Sequence, residues 1–303
     1  KRMTLHFIAQ RTIMTKVKSI KNLYAMGVQI LFALCAFACV FAVAIICIFL
    51  FTSSIPSIMK IGFMDFIFGS LWQPNAEVYG IAPMIVGSVY VTALALLISV
   101  PCGVLSAIYL VFFAHRWVRY VLNPAVELLA GIPSIVYGFF GLIVIVPFLS
   151  SLLGTSGKGL LAASVLLGIM ILPTIILVSK ISLQGIDKAY LEGGLALGAS
   201  KERVAFFVML RAAQSGVLAG IILGTGRAIG EAMAVIVVAG NQPIFPQSLS
   251  DGVRTLTTNI VLELGYAADL HREALIASCV VLFVFILMIN LCLNALKRRC
   301  VNE

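Results

Sequence analysis

Six long stretches of the chain are rich in apolar residues and nearly free of charge: 28–51, 83–113, 120–149, 159–179, 216–240 and 274–296. Crossing the ~30 Å hydrocarbon layer at ~1.5 Å per helical residue takes about 20 residues, and each stretch is long enough. A membrane span must satisfy its own backbone, so the pattern predicts an all-α integral membrane protein with six transmembrane helices. The first stretch is too long for a signal-peptide core and lacks a small-residue cleavage pattern, so it is expected to stay as a membrane anchor. Pro101, Pro133 and Pro173 lie in the second, third and fourth stretches and predict kinks or breaks.

The connections set the organisation. A basic segment 1–27 precedes the first span, a long external segment 52–82 follows it, and the remaining five spans form a core over 83–296. Within that core lie a cytoplasmic segment 180–215, patterned like short helices, and an external segment 241–273; a basic tail 297–303 ends the chain. Outside the spans, only Lys60, Lys158, Arg254 and Arg272 fall on one side, and every other Lys and Arg falls on the other. The positive-inside rule places both termini in the cytoplasm.

Composition agrees with the pattern: the chain is 61% hydrophobic and 11% charged. Its 21 Lys and Arg against 12 Asp and Glu sit between apolar runs and form no single basic face, which argues for orientation in a bilayer and against nucleic-acid binding. The cysteines (Cys35, Cys39, Cys47, Cys102, Cys279, Cys292, Cys300) form no CxxC pair and read as small buried hydrophobes. His6, His115 and His271 are far apart, with no second ligand at helical spacing, so no metal site is expected.

One span breaks the pattern. The string GTGRAIGEAMAV in the fifth stretch carries Arg227 and Glu231. At ~100° per residue on a helix, Gly216, Gly220, Gly224, Arg227 and Glu231 share one face, and Leu218, Ile222, Ile229 and Met233 lie opposite. An Arg at mid-membrane costs about 2.5–3.5 kcal/mol on insertion scales and is rarely left unpaired. Three explanations fit, one of them a gating contact that touches no substrate. Glu231, four residues on, forms an intrahelical ion pair while the glycines pack the helix on a neighbour; or the guanidinium offers its planar fork of donors to a tetrahedral oxyanion in transit, with Glu231 orienting it. Glu127, in ELLAGIPSIVYG, is a third charge within an apolar stretch and could pair across helices or cap backbone freed near Pro133.

The cytoplasmic segment opens on Asp187, a helix-capping residue, and interleaves Tyr190, Leu191, Leu195 and Leu197 with Lys188 and Glu192. That arrangement suits docking into a groove on a soluble partner, or lying on lipid headgroups. No phosphate-binding G-x-x-x-x-G-K-[ST] occurs, so any nucleotide chemistry must belong to another chain.

At these residues the sequence resembles the membrane subunits of bacterial ABC importers, whose cytoplasmic signature is Glu-Ala-Ala, a following glycine and Ile-x-Leu-Pro. Here Glu192, Gly193 and Gly194 stand for the first part, Gly198 for the glycine, and Val208, Leu210 and Arg211 for the end. The strings ELLAGIPSIVYGFFGL and GTGRAIGEAMAV are similar to the phosphate-uptake permeases of PstC type. The resemblance implies a type I importer bundle that moves phosphate inward by alternating access and carries no catalysis of its own. It implies phosphate passage at Arg227 and Glu231 and ATPase docking at 189–211. It also implies a PstA-like second permease, two ATPase subunits using ATP and magnesium, and an external phosphate-binding protein. The rival expectations are a permease for sulfate or molybdate and a passive anion channel.

Overall fold

The computed structural model describes residues 2–302, with side-chain surroundings for 25–295 and Lys297. Two compact units emerge, Lys1–Thr52 and Ser53–Glu303. Helix α1 runs over Arg2–Ile61 and so continues ten residues past the predicted end of the first span, to Gly62 with φ 97°. The polar run Thr52–Ser54 does not stop it, because Thr52 turns its hydroxyl back onto the carbonyls of Ile48 and Phe49. The expected external segment therefore begins as helix. It goes on through a short helix, α2 (Phe63–Phe68), and an antiparallel hairpin, β1 (Trp72–Gln73) and β2 (Val78–Tyr79), that pairs Trp72 with Tyr79.

Helix α3 (Ala82–Ile108) continues through a π turn to Phe113. The third stretch is not one span. It is an amphipathic helix α4 (Arg116–Gly131), then a break, then α5 (Ser134–Phe140), a π turn over Gly141–Ile145 and α6 (Val146–Leu153); the apolar helix long enough to cross the membrane is Ser134–Leu153. Pro133 causes the break: the residue before a proline is pushed out of the helical region, and Ile132 is extended, with φ −67° and ψ 130°. Pro101 and Pro173, by contrast, sit inside α3 and α7 (Leu160–Gln184), which run on through them.

The expected cytoplasmic segment, 180–215, forms α8 (Lys188–Ala196), α9 (Lys201–Val204), a π turn and α10 (Leu210–Ala212), and leads into α11 (Gln214–Gly230) through a 72° bend. Then come α12 (Met233–Val238), α13 (Leu256–Glu263), which lies in the expected external segment, and α14 (Asp269–Asn302). Among the described residues, five helices are long and apolar enough to cross a membrane, and there are six such segments when the bent pair is counted as one span.

Helix α7 is the hub. It runs parallel to α3, where Gly103 lies against Ile175 and Gly168 against Ala95, and antiparallel to α11. Removing Cβ at such crossings lets backbones approach, the usual source of packing energy between helices that share an apolar solvent. Leu166, Leu167, Met170 and Ile171 of α7 are buried between α3, α5 and α12. Lipid-facing positions such as Leu97, Ile143 and Phe148 remain exposed on the outside.

Candidate functional site: an arginine between two broken spans

The fifth span presents its glycines to α7. A Cβ at Gly220 would lie 3.1 Å from Val178 Cβ, one at Gly224 would lie 3.1 Å from Ile175 Cγ1, and one at Gly216 would overlap the Ser182 hydroxyl. The next position on this face is Arg227, which is half-buried and donates from Nη1 to Thr174 Oγ1 of α7 at 3.3 Å. The glycine stripe is thus filled by a helix of the same chain.

Glu231 does not share that face, contrary to the helical projection. The helix ends at Gly230, Glu231 is extended (φ −76°, ψ 124°), and α12 restarts at Met233. Glycines at 226 and 230 weaken the last turns of α11, and the Glu231 carboxylate favours the break by accepting from the Ala234 amide at 3.1 Å, capping the new helix. The expected i to i+4 ion pair with Arg227 does not form. The freed Glu231 carbonyl accepts from the Thr257 hydroxyl at 3.1 Å.

The break in the third span lies beside this one. Tyr137 donates its hydroxyl to the Leu129 carbonyl at 2.7 Å, closing the end of α4. Helix α5 packs on α12 in parallel, with a Cβ at Gly138 placed 3.2 Å from Ala234 Cα, so both half-helices leave their breaks side by side. Irregular backbone inside a membrane persists where protein or a polar path satisfies it, and paired broken helices are where transporters build solute sites. Glu127 is exposed on α4, which is tied to its neighbours by Lys180 Nζ donating to Asn123 Oδ1 at 3.0 Å and Arg119 Nη2 to the Val111 carbonyl at 2.7 Å. It makes no ion pair with Arg227.

The 188–204 segment is a small exposed helix pair. Asp187 accepts from the Ala189 amide at 3.0 Å to start α8, Gly198 (φ 82°) turns the chain, and Ser200 accepts from the Arg203 amide at 3.3 Å to start α9. Leu191 packs inward on the cluster around Val204, whereas Tyr190, Glu192, Leu195 and Leu197 face outward, Leu197 at 91% exposure. Gly193 is open on all sides and Gly194 crosses Val204.

A second polar cluster, which sequence reasoning missed, holds the external segments together. Glu263, nearly buried, accepts from Arg254 Nη1 at 2.6 Å and from Trp72 Nε1 at 2.8 Å, and its Oε2 lies 2.9 Å from His271 Nε2. Tyr79 stacks on the imidazole and Trp72 meets it edge-on. Burial, followed by the Glu263 charge, raises the pKa of the nearby Tyr266 phenol, and Arg254 opposes the shift. The available signal was scarcity: in a chain with so few charges, a Trp, a His, an Arg and a Glu outside the spans are candidates to find one another.

Residues 99–301 match the family model described as binding-protein-dependent transport system inner membrane component. The chain belongs to this family, in its PstC-type branch. It is 38% identical over 267 residues to the probable ABC transporter permease protein YqgH of Bacillus subtilis, covering 84% of this chain and 86% of that one. It is 34% identical to the phosphate transport system permease protein PstC of Xylella fastidiosa, covering 73% of this chain and 74% of that one. The bundle superposes on the inward-facing MetNI methionine ABC transporter with a TM-score of 0.55 at 21% identity, covering 76% of this chain and 99% of that one. The fold is that of a type I importer permease, and the binding-protein-dependent permease is a multi-pass inner-membrane transport component.

Proposed function

We propose that this chain is the membrane-spanning permease subunit of an ATP-driven importer of inorganic phosphate, working by alternating access. The observation that carries the proposal is the half-buried Arg227 guanidinium, held by one neutral hydroxyl where two spans are broken. A guanidinium paired to a carboxylate would be neutralised; one on a threonine keeps its charge and most of its donors for a passing oxyanion. Glu231, engaged with the Ala234 amide, is close along the chain and can compete for Arg227 once the anion has left, which prevents permanent capture. Glu127 lies along the same route on α4. Relatives over most of the chain are named phosphate transport permeases, which supports phosphate over sulfate or molybdate.

The groove of about 440 Å³ lined by Tyr90, Leu94, Leu160 and the 246–249 segment lies at the external end and does not include Arg227. A path completed by a second membrane subunit would appear in one chain as a surface of this kind. That subunit is a PstA-like permease in our proposal. Two ATPase subunits supply ATP hydrolysis with magnesium, and this chain engages them through the outward face of its α8 segment around Glu192, Gly193, Gly194 and Gly198. An external phosphate-binding protein delivers the anion, and both termini lie in the cytoplasm, following the Lys and Arg bias. The test is uptake of radiolabelled inorganic phosphate by vesicles holding the assembled complex. Uptake should require ATP, resist excess sulfate, and be lost in Arg227→Gln and reduced in Glu231→Gln; wild-type uptake by both variants at normal assembly would exclude the transit role.

A further inference from the structure

The half-helix α12 is fastened at both ends by one external strap. At its outer end the Val253 amide donates to the Ala239 carbonyl at 2.8 Å and Arg254 Nε to the Asn241 carbonyl at 2.9 Å. At its inner end Thr257 donates to the Glu231 carbonyl at 3.1 Å. The same strap holds the external cluster, because Arg254 also donates to Glu263, and Glu263 receives Trp72 and His271.

Thr257 has one hydroxyl proton; with it on the Glu231 carbonyl, the 2.9 Å contact between Thr255 and Thr257 runs from the Thr255 hydroxyl, whose proton is shared with the Thr258 oxygen at 3.1 Å. Thr255 and Thr258 close a capping box at the start of α13, which fixes the backbone that carries Thr257. Thr257 is only 7% exposed, so water cannot replace the lost donor cheaply.

We infer that Thr257 is a positioning residue: it ties the external surface, through the strap and the Glu263 cluster, to the break that separates Arg227 from Glu231. Movement imposed at the external face then shifts α12 and the Glu231 backbone together, and opens or closes the break. The inference rests on the proposed permease function, and its test is chosen to separate the two.

The measurement is ATP hydrolysis by the reconstituted complex, with and without phosphate-loaded binding protein, alongside uptake of inorganic phosphate. In Thr257→Val the ratio of stimulated to basal hydrolysis should fall about five-fold, the factor that one neutral hydrogen bond is worth. Basal hydrolysis should stay at the wild-type rate, and Thr257→Ser should restore the ratio. An unchanged ratio in Thr257→Val overturns the inference, as does an equal fall in basal and stimulated rates, which would mark a merely structural hydroxyl. If Thr257→Val does not assemble, Thr257→Ala removes the same donor with less bulk; failure of both to assemble, with Thr257→Ser normal, also assigns the hydroxyl to folding and overturns it. A wild-type complex that takes up no phosphate would instead count against the permease function itself.

Discussion

Arg227 is held across the α11–α7 contact by Thr174, at 3.3 Å, and not by Glu231 four residues along. Hydrogen bonds to charged groups are worth about 1.5–3 kcal/mol when both partners are out of water, enough to park the guanidinium but not to neutralise it. Thr174→Val should therefore lower the initial rate of phosphate uptake several-fold at unchanged assembly, and Thr174→Ser should retain it. Arg227→Lys keeps the charge but loses the fork, and should lose at least about ten-fold. Wild-type rates in Arg227→Lys would reduce the site to a bare positive charge.

Adjacent glycines in the docking segment should respond in opposite ways. A Cβ at Gly194 would come 2.8 Å from Val204 Cγ2, whereas nothing lies within 4 Å of Gly193. Gly193→Ala removes a helix-interior glycine and should stabilise α8 by about 0.5–1 kcal/mol. Gly194→Ala must push α8 away from Val204 and should weaken association with the ATPase subunits, measured by co-purification of the complex. This also accounts for glycine in place of the second alanine of the family's pair, at Gly194, where the α8–Val204 crossing is close; nothing in the structure explains Gly193.

The number and approximate place of the spans were legible because each is an apolar run of sufficient length, and the glycine face of α11 followed from helical spacing. The breaks were not. A hydropathy run has the same appearance whether the helix inside it is continuous or interrupted, so 120–149 read as one span although Pro133 divides it, and Glu231 projected onto the Arg227 face only while the helix was assumed to continue. The external cluster was invisible for a different reason: Trp72, Arg254, Glu263 and His271 meet across nearly 200 residues of sequence, Trp72 and Glu263 being 191 apart, and no local period encodes such a meeting.

Glu263 forms an ion pair with Arg254 and also contacts His271 and Trp72. Replacing it with Gln leaves Arg254, 14% exposed at the side chain, facing an amide, and breaking a buried pair from one side typically costs about 3–5 kcal/mol. Partial exposure of the arginine puts the expectation at the lower end. Glu263→Gln should lower the thermal unfolding midpoint of the detergent-purified complex, whereas Lys60→Gln, which removes the mostly exposed partner of Glu273 at 3.6 Å, should leave it within error. Equal effects of the two would show that the external cluster is no more than a surface ion pair.

Asp251 sets the pH range of the external loop that starts α7. Its carboxylate accepts from the Ser248 hydroxyl at 2.6 Å and from the Ser248 and Gln247 amides at 2.8 Å each, and these bonds, the hydroxyl first, hold its pKa below the usual carboxylate range. The loop in turn caps α7, since the carbonyls of Asp251 and Leu249 accept from the Leu160 and Leu161 amides at 2.9 Å. For a carboxyl whose folded pKa is depressed, the stabilisation is fully present above the unfolded value of about 3.9 and is lost as pH falls through the lower folded value. Amide exchange at Gln247, Ser248, Leu160 and Leu161, corrected for intrinsic rates, should stay slow at pH 5 and accelerate only below about pH 4. Asp251→Asn removes the charge at every pH, so its loop should exchange faster at pH 5 and show no further acid transition. If the variant kept the wild-type pH dependence, another group would control the loop, and the link from Asp251 to the start of α7 would be wrong.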